Sequence, residues 1–170
     1  LIFEEFLKFQ LVLLMDRAGI KPEPALPIQA KGRIAQALRK NLPYTLTGAQ
    51  ERSIAEIVGN LQRDKAMNRI VQGDVGSGKT FVALFAAAEV IENGCQVALM
   101  APTEILAEQH FQNASRLYAG TGAEVVLLTG SLARAEKEKA QEAVRSGRAG
   151  LVIGTHALIQ ESVSWNRLAL

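Results

Sequence analysis

Apolar residues are spaced along this chain in two rhythms that take turns. Short, nearly unbroken apolar runs at 69–72, 96–101, 124–128 and 150–153 read as buried strands. Between and after them, apolar residues recur at helical spacing over 48–62, 79–92, 103–118 and 132–146, with a short helix at 156–161. Strands that alternate with helices predict an α/β fold, a mostly parallel sheet covered by helices on both faces. In such a sheet, ligands sit where the strands end. Leu168-Ala169-Leu170 reads as the first half of one more strand, and no internal repeat or low-complexity tract interrupts the alternation.

The first part of the chain follows another pattern. Residues 1–15 predict a helix with Phe3, Phe6, Leu7, Leu11 and Leu14 on one broad face, suited to packing against a neighbouring domain. The segment 19–27 is rich in proline and cannot continue a helix. A short amphipathic helix is expected over 30–40, ending near Pro43. The expected division is a helical leader and linker over 1–43 and an α/β lobe over 44–170. Glu4, Glu5 and Lys8 break the apolar leader, which is short of the roughly 20 residues a membrane span needs. No basic leader or cleavage site marks it as a signal peptide, so the expected location is the cytoplasm. The chain starts without Met, which suggests a piece of a longer protein.

Composition changes this picture little. Of the 170 residues 48% are hydrophobic and 21% charged, ordinary values for a soluble domain. The net charge of +2, from 19 basic and 17 acidic residues, neither demands nor excludes a local basic groove. Cys95 is the only cysteine, so neither a disulfide framework nor a cysteine-based metal cluster is available. Its place at the entry to a strand suits a small core or turn residue. His110 and His156 have no carboxylate or cysteine cluster at metal-ligand spacing.

The chemistry is concentrated in Gly73-Asp74-Val75-Gly76-Ser77-Gly78-Lys79-Thr80, which matches the G-x-x-x-x-G-K-[ST] phosphate-binding pattern at every fixed position. Its glycines let successive N–H groups turn toward phosphates, and the following helix adds the positive end of its dipole. Lys79 would reach the outer phosphates and Thr80 would ligate magnesium, so ATP with Mg2+ is the expected cofactor. Asp74 would orient the loop backbone. A phosphate loop alone serves kinases, GTPases, transporters and helicases alike.

The other strand ends narrow the choice, presenting Pro102-Thr103, Thr129-Gly130 and Gly154-Thr155-His156 in place of apolar residues. Thr103 is placed to cap the helix that follows, and Ser131 to cap the next one. The run Ala101-Pro-Thr-Glu-Ile-Leu-Ala-Glu-Gln-His110 resembles motif Ia of superfamily-two helicases. Leu128-Thr-Gly130 resembles motif Ib, and Ile153-Gly-Thr-His-Ala-Leu158 the segment called Ic. Leu46-Thr-Gly-Ala-Gln50 resembles the Q motif. Taken with Gln72-Gly-Asp-Val-Gly-Ser-Gly-Lys-Thr80, the chain from about residue 44 onward is similar to the RecG-type bacterial DNA helicases. Phe3-Glu-Glu-Phe6 resembles, more weakly, the helix that joins that family's DNA-reading domain to its motor.

The resemblance implies a RecA-like first motor lobe in which Gln50 reads adenine and Tyr44 stacks on it. Gln50 read alone is equally a polar residue in a helix first turn. DNA contacts are implied at Pro102, Thr103, Gln109, His110, Thr129, Gly130, Gly154, Thr155 and His156. The implied partners are branched or duplex DNA, a DNA-reading wedge domain and a second motor lobe. A DExH box is expected on the strand after Leu170, so this stretch alone is expected to bind nucleotide without turning it over. Transcription–repair coupling translocases share Gly-Asp-Val-Gly and Gly-Thr-His and are the alternative reading. A P-loop kinase and a non-enzymatic nucleotide-binding module stand further off.

Overall fold

Three strands, β1 (Val97–Met100), β2 (Glu124–Leu128) and β3 (Ala149–Gly154), pair in parallel with spatial order β1-β3-β2 in a computed structural model that describes residues 2–19 and 23–170. Val97 stands opposite Leu151, and both Met100 and Leu128 stand opposite Gly154, so the three strands end level. β3 lies between the others and is buried throughout. Period-two alternation sorts its side chains: Leu151 and Ile153 join one apolar cluster, and Val152 joins another on the opposite face.

The helices follow from the strand order. α5 (Glu104–Leu117) carries the chain from β1 past β3 to β2, and α6 (Arg134–Arg145) brings it back from β2 to β3. Parallel crossovers are right-handed, so reversing the direction of travel moves the helix to the other face. Ala107, Ala114 and Leu117 of α5 accordingly pack with Leu151 and Ile153, while Ala140, Ala143 and Val144 of α6 pack with Val152 and Leu128. The α5 face is thickened by α3 (Gly48–Leu61) and α4 (Lys79–Glu92), whose Leu84, Phe85 and Ala88 are almost fully buried. The α/β architecture with helices on both sheet faces is therefore as the alternation predicts. Cys95 is a buried core residue.

The segment after Arg167 pairs with the outer edge of β1. Gln96 bridges Leu168 in parallel, and Ala98 N–H donates to the Leu170 carbonyl at 2.8 Å. Buried Gln96 sets this register with its side chain. Its Nε2 donates to the Val144 and Ala149 carbonyls, and its Oε1 accepts from the N–H groups of Asn166 and Arg167, each at 2.9 Å. A buried amide with all four bonds made is a specific peg, unlike an orphaned one.

Four expectations need correction. The run 69–72 forms no strand: its backbone is irregular, and Ile70 is 89% exposed. A strand exists only through its ladder, and none of the described strands pairs with this run. The helix expected from residue 30 begins at Arg33 in α2 (Arg33–Asn41), because Gly32 adopts a left-handed φ of 74° just before it. α6 starts at Arg134 after Ala133, so Ser131 does not cap it. In α1 (Ile2–Gly19), exposed Phe9 and Val12 point away from the Phe3, Phe6, Leu7 and Leu11 side, so the apolar residues ring the helix. The Leu14 side chain and residues 20–22 of the linker lie outside the described residues.

The linker is stitched to the lobe. Ile28, Ile34, Ala35 and Leu38 join the same core as α3 and α4. Glu89 of α4 accepts from Gly32 N–H at 3.1 Å and Glu92 from Ile34 N–H at 3.2 Å, so two carboxylates satisfy the free donors at the start of α2. Among the described residues no helix is long and apolar enough to cross a membrane.

Candidate functional site

α4 ends at Glu92 and β1 begins at Val97, so the helix runs antiparallel to the strand and its N-terminus lies at the edge where the strands end. That edge holds the phosphate loop. Gly76 and Gly78 take φ of 82° and 83°, a region closed to residues with a side chain except at a cost, and Gly78 caps α4. A Cβ on Gly73 would lie 2.7 Å from Ser77 Oγ, and one on Gly78 would collide with Gln50 Nε2. Lys79 folds back over the loop, its Nζ donating to the carbonyls of Gly73 and Asp74 at 2.7 Å each. Ser77 N–H donates to the Asp74 carbonyl at 3.2 Å. The N–H groups of Gly76, Gly78, Lys79 and Thr80 make no hydrogen bond among the described residues. Free donors, a lysine and a helix N-terminus in one place fit a row of phosphates. Val75 stands fully exposed at the tip.

Gln50 reaches this loop, and Tyr44 reaches the helix that follows it. Gln50 completes a capping box with Thr47 and also donates from Nε2 to the Ser77 carbonyl at 2.9 Å. Tyr44 sets its ring edge-to-face on Phe81, 5.7 Å away, one residue beyond Thr80. Slight burial pushes its phenol up from the usual range. Beside it opens a cleft of about 310 Å³ lined by Arg39, Pro43, Leu46 and Glu51. Arg39 pairs with Glu51 at 2.8 Å and lies 5.1 Å over the Phe85 ring, which keeps that wall in place.

The remaining strand ends form the other half of the edge. Thr103 caps α5, its hydroxyl accepting from Leu106 N–H at 3.3 Å. Pro102, Thr103, Gln109, Gly130 and His156 are exposed, and His110 is half-buried. Thr129, Gly154 and Thr155 are buried, so these three meet a ligand only through what their turns present. A Cβ on Gly154 would collide with the Leu128 carbonyl, which is why the β2–β3 register closes so tightly there. Thr155 Oγ1 is buried and has no partner among the described residues.

Glu104 was not among the residues singled out as a candidate, although its place in the first turn after Thr103 was visible. Its Oε1 accepts from Ser131 N–H at 3.1 Å, tying the α5 N-terminus to the turn after β2. The Ser131 hydroxyl, helped by N–H groups of Ser131 and Gly130 and by His156, holds the Glu104 carboxyl below the usual carboxylate range, against partial desolvation. Among the described residues no cluster of His, Cys, Asp or Glu could hold a metal ion unaided.

The DEAD/DEAH box helicase family matches residues 47–169. Among curated proteins, the ATP-dependent DNA helicase RecG of Escherichia coli (strain K12) is 47% identical over 100% of this chain and 24% of its own length. That of Aquifex aeolicus is 44% identical over 98% of the chain and 21% of its own. The chain thus spans between a fifth and a quarter of these relatives. Among solved structures, one described as RecG bound to a three-way DNA junction superposes with a TM-score of 0.79 at 43% identity, covering 85% of this chain and 20% of that one. A hypothetical ATP-dependent RNA helicase from Sulfolobus tokodaii, at 21% identity and a TM-score of 0.56 over 76% of this chain and 35% of its own, shares the fold.

Proposed function

The chain belongs to the DEAD/DEAH box helicase family, and from that premise we propose that it is the ATP-binding lobe of a RecG-type motor that remodels branched DNA. The observation that supports this most is the placement of the phosphate loop and three polar strand-end turns along one edge of one sheet. Nucleotide binding can then be felt where DNA would lie. The RecG relative solved on a three-way junction suggests forks and junctions as substrates.

Magnesium-bound ATP supplies the phosphoryl group whose transfer to water drives such a motor. This chain's residues would hold it. Tyr44 and Gln50 would flank the base, and the N–H groups of Gly76, Gly78, Lys79 and Thr80 at the α4 N-terminus would take the phosphates. Lys79 would exchange the Gly73 and Asp74 carbonyls for the outer phosphates, and the Thr80 hydroxyl would hold Mg2+. Thr103, Gly130 and His156 would face the DNA backbone with Pro102, Gln109 and His110 around them. Thr129, Gly154 and Thr155 support that surface from beneath. Contacts of this kind position DNA without reading its sequence.

In this reading residues 44–170 form the first motor lobe, and residues 1–43 are a leader whose second helix seats on it. A second motor lobe and a DNA-reading domain are its partners, and the cytoplasm is its place of work. The 170-residue chain alone binds ATP without turnover.

The test is calorimetry with magnesium–ATP on the wild-type chain and on Lys79→Ala, followed by ATPase assays on the full-length protein with forked, junction and linear DNA. Binding lost in Lys79→Ala, with hydrolysis driven by branched DNA, supports the reading. Turnover indifferent to DNA, or phosphate transfer to a small acceptor, rejects it.

A further inference from the structure

An acidic residue in the first turn of a helix usually answers its own helix dipole. Glu104 does something else. The cap of α5 is already made by Thr103, and the Glu104 carboxylate reaches across to Ser131 N–H, 27 residues away. It lies so close to the turn that a Cβ on Gly130 would come within 3.2 Å of Oε1. Beneath, Thr129 is buried with its hydroxyl 3.4 Å from that of Ser131, and Thr155 is buried with an unpartnered hydroxyl. One carboxylate therefore joins two of the three turns. At an edge that meets phosphates, a carboxylate pointing outward would repel them; this one is engaged inward.

Resting on the motor reading, we propose that Glu104 is a positioning residue: its carboxylate locks the Thr129–Ser131 turn to the α5 N-terminus so that Thr103 and Gly130 present one surface to a single run of DNA phosphates. It touches neither nucleotide nor DNA. Its role is to keep two separate strand ends in one geometry.

The experiment uses the full-length protein as wild type, Glu104→Gln and Glu104→Ala. It reads the junction-DNA concentration for half-maximal ATPase stimulation, the salt dependence of DNA binding, the affinity for magnesium–ATP and the melting temperature. Gln keeps an oxygen to accept from Ser131 N–H, so Glu104→Gln is expected within about twofold of wild type. Glu104→Ala is expected to need about tenfold more DNA. Its salt slope should be shallower by about one phosphate contact, with melting and nucleotide affinity unmoved. If Glu104→Ala does not fold, Glu104→Asp keeps the charge but shortens the reach to Ser131 N–H and should shift the DNA requirement likewise. A lower melting temperature with an unchanged DNA requirement overturns the proposal, as does tighter DNA binding in both Glu104 variants. A wild-type protein whose ATPase ignores DNA defeats the motor reading and this proposal with it. A stimulated wild type with an unaffected Glu104→Ala defeats this proposal alone.

Discussion

Gln50 donates from Nε2 to the Ser77 carbonyl at 2.9 Å while its Oε1 accepts from Thr47 N–H at 2.8 Å, so one side chain closes the α3 cap and anchors the phosphate loop to it. Capping the helix and tethering the phosphate loop are thus not rivals. A local helix-start rule places the amide where it can also reach the loop.

Gln50→Ala removes both bonds and is expected to cost about 1 kcal/mol of folding stability, the usual worth of a cap. Gln50→Glu keeps an acceptor for Thr47 N–H and should cost less stability. It loses the donor to Ser77 and brings negative charge toward the phosphates, so it should bind magnesium–ATP more weakly than wild type. Urea unfolding and calorimetry on the same three proteins separate the two roles. Equal ATP affinity in all three would show that the loop does not depend on this tether.

Gly76 and Gly78 offer a matched comparison within the loop. Both have φ above 80°, so alanine at either carries the left-handed strain of about 1–2 kcal/mol. A Cβ at Gly76 meets nothing within 4 Å, whereas one at Gly78 strikes Gln50 Nε2. Gly78→Ala should therefore lose more stability than Gly76→Ala, and the difference should vanish in a Gln50→Ala background. A difference that persists there would place the clash elsewhere.

What was legible in the sequence was local. The phosphate loop, the Thr103 cap and the runs that became β2 and β3 each announce themselves within a few residues. Contacts made across the fold were silent. Nothing near Gly32 says that Glu89 will hold its N–H, and nothing near Glu104 says that Ser131 will. Gln96 stands at the head of the run 96–101, and nothing near it says that it will be a buried peg with four bonds. The run at 69–72 has a strand's composition without a ladder, because pairing is a property of two segments and composition describes one.

Gly154 tests the closure of the sheet edge. It stands opposite Leu128, whose carbonyl would collide with any Cβ there, and Leu158 Cδ2 would lie 3.1 Å from it. Backbone cannot yield as a flexible side chain can, so Gly154→Ala should cost about 1–3 kcal/mol, as overpacking does. The strain falls between two of the turns proposed to meet DNA, so DNA stimulation in the full-length protein should weaken as well. Chemical denaturation reads the first effect and the ATPase assay the second. A variant as stable as wild type would mean that β2 and β3 part there at little cost.

Tyr118 gives a pH test with a defined sign. Its hydroxyl is buried and donates to the Leu84 carbonyl of α4 at 2.6 Å, and burial pushes its phenol well above the ordinary tyrosine value of 10.0. The folded state therefore keeps a proton that the unfolded chain gives up. The stability this provides is fully present below pH 10 and drains away as pH rises above the unfolded value. Tyr118→Phe removes both the bond and the titration. It should cost about 1 kcal/mol at neutral pH. Above pH 10 its stability should fall less steeply than that of wild type, so the two curves converge. Denaturation midpoints taken from neutral to strongly alkaline pH would show this. Parallel curves across the range would mean that the phenol ionises as readily in the folded protein as in the unfolded chain.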